Sequence, residues 1–210
     1  MLSSSPMPEN PWPRDMLITI DDPSPLFELL WVREAWGLQP TGADLPPLLV
    51  DTPATVSSGH PPAEWSDGWY SLWGACVTHA ARPQDRVGME RLFTDRSLGV
   101  SERAALLSGF LGPSWRERFG DEAITGAYAV WQSADAERRM SAALTLDETP
   151  ERRALDSLIP AWRAGLTTLV VIPCRGSYTR RIGASALLLT DETRDDPARF
   201  AEALGTFVSG

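Results

Sequence analysis

Residues 169–181 read LVVIPCRGSYTRR. Four apolar residues, Leu169, Val170, Val171 and Ile172, lead into Cys174, one of only two cysteines in the chain. A polar loop follows with Arg175, Ser177, Tyr178, Arg180 and Arg181. A short β-branched run closed by Pro and Gly is the pattern of a buried strand. A second apolar segment at 184–190 reads as another strand. Asp196 before Pro197 then caps a last helix over 197–207. The carboxy-terminal third is thus expected to be a β–loop–β–α unit.

Upstream the pattern turns helical. Met16–Ile20 (MLITI) reads as a strand, and Ser24–Pro25 opens a helix to about Gly37. That helix carries Leu26, Phe27, Leu29, Leu30, Trp31, Val32 and Trp36, is apolar on nearly every side, and belongs in the centre of the molecule. Residues 38–62 are rich in Pro, Gly and Ser and read as a long irregular connection, which is uncommon unless it packs or works. Helices are expected over 63–81, 101–107 and 121–144, with shorter helical pieces at 85–93 and 113–119. A further helix starts at Thr149–Pro150 and ends at Gly165, with a kink or break at Pro160. The fold class is α+β: a mostly helical single domain over 16–210, with a small mixed or antiparallel sheet built from 16–20, 167–173 and 184–190. Residues 1–15 form a disordered or extended tail rich in Ser and Pro.

Bulk composition narrows the function classes. The chain has 210 residues, 43% hydrophobic and 22% charged, with a net charge of −9. This is enough to bury a core, and the acidic balance disfavours nucleic acid and anionic lipid as partners. All 19 basic residues are Arg, so Schiff-base chemistry and a Walker-type lysine are excluded. Arg-only usage is also the mark of a high-GC bacterial gene. Two cysteines make no disulfide framework. No secretory signal and no apolar run near ~20 residues is present, so the expected address is the cytoplasm.

The spacing Cys174-x5-Arg180 resembles the phosphate loop of low-molecular-weight phosphatases over about eight residues. That resemblance implies backbone amides around a phosphate, an Arg on two of its oxygens and an attacking thiolate. The family places its loop near the amino terminus and follows it with a helix, whereas Ile182–Leu189 here reads as a strand. The bland alternative is a hairpin with an Arg-rich turn and a buried Cys. Cys174, Arg175, Ser177, Arg180 and Arg181 are the candidate anion-binding set, and a small anionic ligand would be its occupant.

Three other patterns bear on function. Trp65, Trp69 and Trp73 lie four apart on one helical stripe, which suits core packing or an interface anchor. His60, Cys76, His79 and Cys174 are the only soft metal ligands in the sequence, and their spacing is not that of a zinc site, so no metal and no cofactor is expected. The acidic pairs Asp21–Asp22, Asp191–Glu192 and Asp195–Asp196 sit at element boundaries, where Asp serves turns and caps. With no complete catalytic motif and nine tryptophans in an acidic chain, the expectation is a non-enzymatic interaction protein, binding a protein partner or itself. The alternative is an enzyme or sensor for a phosphorylated or anionic molecule at the Cys174–Arg180 loop.

Overall fold

A computed structural model describes residues 12–56, 60–83, 85–141, 145 and 148–209. The expected tail therefore falls outside the described residues up to position 11, as do 57–59 of the long connection and the last three residues of the helix expected to end at 144.

The sheet is the organising element. Strand β1 (Thr19–Asp21) pairs in parallel with β2 (Thr168–Ile172), and β2 pairs in parallel with β4 (Ala186–Thr190). β3 (Thr179–Ile182) runs antiparallel on the outer side of β4, giving the order β1-β2-β4-β3. The sheet is thus mixed. The segment 173–178 leaves the end of β2, crosses over the end of β4, and enters β3 at the far edge. β2 and β4 are buried at every residue, as parallel strands covered on both faces must be.

Strand alternation sorts the core into two layers. Val170, Ile172, Ile182, Ala186 and Leu188 face a large aromatic cluster, while Leu169, Leu187 and Leu189 face a smaller one. The large cluster is built from α1 (Ser24–Ala35), α2 (Ala63–Ala80), α5 (Trp115–Phe119) and α6 (Gly126–Ser141). The small one is built from α8 (Leu155–Arg163) and α10 (Pro197–Ser209). The helix expected to be apolar all round is central: α1 buries Leu26, Phe27, Leu29, Leu30, Trp31 and Val32. Short helices α7 (Pro150–Arg153) and α9 (Asp191–Asp195) precede α8 and α10. The break expected at Pro160 falls earlier, at Ala154, whose φ of −98° and ψ of 18° separate α7 from α8.

The long connection after α1 packs. Arg33, buried on α1, donates to Pro46 O at 2.7 Å and Pro47 O at 2.6 Å, and Glu34 accepts from the Leu49 amide. Leu49 bridges to Cys174, and Val50 N–H donates to Pro173 O at 2.9 Å. The chain after α1 thereby lies across the carboxyl ends of β2 and β4.

Helices α3 (Arg86–Thr94) and α4 (Val100–Leu111) differ from the rest. They pack chiefly on each other, and α4 buries no side chain. Two bonds tie the residues around the end of α4 to α2: His79 Nε2 to Gly109 O at 2.9 Å, and Cys76 Sγ to Pro113 O at 3.1 Å. Gly112, at φ +68°, lies against the His79 ring so closely that a β-carbon would sit 2.5 Å from it. Only glycine allows that turn and that approach together.

Candidate functional site

The Cys174–Arg181 loop is occupied by the protein's own chain. Arg175 donates its backbone N–H to Leu48 O at 2.8 Å, and its guanidinium to Leu49 O at 2.6 Å and to Thr52 Oγ1. Gly176 N–H already holds a carboxylate, Glu192 Oε2 at 2.8 Å. The Thr190 hydroxyl donates to Gly176 O at 2.7 Å, and Tyr178 N–H donates to Thr193 Oγ1 at 3.0 Å. Arg181 lies over the Phe207 ring at 4.3 Å and donates to Phe207 O. Arg180 stands beside Tyr178, whose hydroxyl donates to Asp44 O, and Ser177 is exposed. Cys174 is fully buried, and burial pushes its thiol up to about 12. β3 follows the loop, with no helix to lower that value.

The tryptophan stripe lies in the core. Trp65, Trp69 and Trp73 are 5%, 0% and 1% exposed. Trp69 stacks on Trp73 at 5.4 Å and donates its indole N–H to Leu29 O at 2.7 Å. Trp65 stands edge-on between Trp36 and Trp115, at 5.1 and 5.2 Å. These rings join α2 to α1 and α5 and offer nothing to a partner at the surface. Of the two uses the spacing allowed, packing is the one the structure has.

The four soft ligands are dispersed. Among the described residues no three His, Cys, Asp or Glu side chains are placed to hold a metal. Cys76 and His79 are engaged with Pro113 and Gly109, Cys174 is beneath the long connection, and His60 is exposed ahead of α2. Burial also raises the Cys76 thiol to about 12. In the folded protein both cysteines should react with iodoacetamide at least about a hundredfold more slowly than in urea at neutral pH, equally with and without phosphate. Fast labelling of Cys174 that phosphate suppresses would restore an anion site there. The same shifts fix a sign. A thiol whose value rises on folding, from about 8.5 to about 12, stabilises fully below the lower figure. That contribution is lost as pH climbs through the interval, so stability should fall at alkaline pH.

A cavity opens elsewhere. It lies between the α3–α4 hairpin and the body, with a volume of about 850 Å³. Its floor is the end of β1, the start of α1 and the last turns of α2; Met89, Phe93, Phe110 and Leu111 wall the other side. Asp21, Asp22, Asp85, Glu90 and Arg82 are the charged groups lining it, with the His79 imidazole and the Cys76 thiol beside them. His79 and Arg82 also line a smaller neighbouring cavity of about 490 Å³.

No family model, curated protein or solved structure matches the chain.

The chemistry of the cavity follows from its lining. The walls are apolar with a few polar groups, and the one thiol on them, Cys76, is held protonated by burial. Asp21 is pulled up from the usual carboxylate range by burial first and then by the charge of Asp22. A neighbouring cation would relieve both effects. The sequence places Asp21 and Asp22 at an element boundary and a short helical piece at 85–93. Hydropathy spacing cannot reveal that two short helices stand off from the body. The available signal was a surplus of apolar side chains, Val87, Met89, Phe93, Val100, Leu107 and Leu111, on helices too short to bury them.

Proposed function

We propose that the protein is a non-catalytic interaction domain whose working surface is the α3–α4 hairpin. One observation carries this reading. Of the 13 exposed large apolar side chains among the described residues, six lie between 87 and 111. Phe93, Val87, Val100 and Leu111 are 79%, 77%, 88% and 66% exposed. Scattered apolar exposure is ordinary, but concentration on one pair of helices beside an open cavity marks a partner site. The acidic balance supports a protein partner over nucleic acid. The rival, a sensor or enzyme for an anionic molecule at 174–181, has less support because Leu48, Leu49, Thr52 and Glu192 already engage Arg175 and the Gly176 amide.

The test is a photo-crosslinking amino acid placed at 93 or 111, and at Asp156 on the opposite side of the sheet as control, in cells that make the protein. A discrete adduct from 93 and 111 and none from 156 is expected, with a partner or with a second copy. Diffuse labelling, or none, overturns the reading.

A further inference from the structure

Five charged side chains and one imidazole line the large cavity, and their balance is negative: Asp21, Asp22, Asp85 and Glu90 against Arg82, with His79 donating to Gly109 O. Two of the carboxylates have work within the fold. Asp85 accepts the Gly88 amide at 2.9 Å as the cap of α3, and Asp22 lies 3.7 Å from Arg139. Asp21, at the end of β1, is half-buried and held beside Asp22. Glu90 is exposed on α3, one residue from Met89. The cavity makes the site, and the carboxylates set the charge of what fills it.

We infer that the groove between the α3–α4 hairpin and the body docks an amphipathic helix of a partner protein, with apolar anchors in the cavity and Lys or Arg beside Asp21 and Glu90. This rests on the interaction reading above and names the chemistry of the partner. Three observations carry it. First, the apolar surface does not stop inside the cavity: Phe93 and Leu111 line it and are still 79% and 66% exposed. A small molecule seated inside would leave their outer surface bare, whereas a helix of several turns spans it. Second, the groove walls are helical, and of β1 only its last residue, Asp21, lines the cavity. The occupant is therefore held by side-chain anchors at helical spacing rather than by strand addition. Third, a basic flank compensates carboxylates that otherwise repel one another at a partly buried wall.

The test uses the full chain and three labelled synthetic helices of about 18 residues, long enough for five turns. One carries Leu on one face and Lys on the other. The second has Glu in place of Lys. The third keeps the Lys but scatters the Leu. The first is expected to bind at least about tenfold more tightly than either of the others, and to weaken as salt rises. Phe93→Asp with Leu111→Asp should lower its affinity at least about tenfold. Both side chains are exposed, so circular dichroism should be unchanged. Asp21→Asn with Glu90→Gln should erase the preference for Lys over Glu while leaving an apolar component. Equal binding of all three helices, binding of none, or binding untouched by the Phe93 and Leu111 changes overturns the inference. A discrete crosslink at 93 with no preference for the basic helix sinks the charge assignment alone and leaves the interaction reading standing. Absence of a discrete crosslink at both 93 and 111 overturns the interaction reading and the inference with it.

Discussion

Trp69→Ala is expected to cost about 4 kcal/mol of stability and to lower the melting temperature by roughly 10 °C. The ring is fully buried, stacked on Trp73 and crossed by the Arg33 guanidinium at 5.5 Å. Removing it leaves a cavity where α2 meets α1, unfills the acceptor at Leu29 O, and frees Arg33, which anchors the connection after α1 through Pro46 and Pro47. Trp69→Phe separates the contributions. It keeps most of the packing, loses the indole N–H bond, and should cost about 1–2 kcal/mol. Urea unfolding followed by far-ultraviolet circular dichroism measures both. A cost below about 1 kcal/mol for the alanine change would mean that the ring is not the joint described here.

The second large effect is electrostatic. Asp135 on α6 has a side chain only 5% exposed, and it pairs with both Arg138 and Arg139, the latter at 3.0 Å. The two arginines also reach Asp191, at the start of α9, at 3.3 and 3.4 Å. The network ties α6 to the carboxyl end of the sheet. Asp135→Ala leaves two partly buried guanidinium groups with less compensation, and should cost about 3 kcal/mol. Asp135→Asn keeps the shape and removes the charge, so it reports the electrostatic part alone. High salt should rescue neither variant by much, because buried pairs are poorly screened. Alanine and wild type unfolding at the same urea concentration would refute this account.

These two sites also mark how far the sequence could be read. The helices around 25–37 and 63–81 were legible because their apolar residues are dense and regular. β2 and β4 were legible because unbroken branched runs need two covered faces. The tryptophan spacing gave the stripe but not its surroundings, since a ring every four residues looks the same inside and outside. β3 was read as part of a loop: Thr179–Ile182 is mostly polar, and it is a strand because an edge position needs only backbone pairing with β4. The Cys174-x5-Arg180 spacing was visible, but its meaning depended on Leu48, Leu49 and Thr52, more than a hundred residues away. Asp135 gave no signal, being one carboxylate among 28 acidic residues until α6 meets α9.

The register of β1 has a further consequence. Thr19 pairs with Thr168, so β1 leaves the ribosome well before the strand it pairs with. At ~5–20 residues per second the interval is roughly 10–30 s. Throughout it α1 is already made, and its apolar circumference has no sheet to lie on. Contact with α2, which is made next and packs on α1 in the fold, is what can cover that surface until β2 is made.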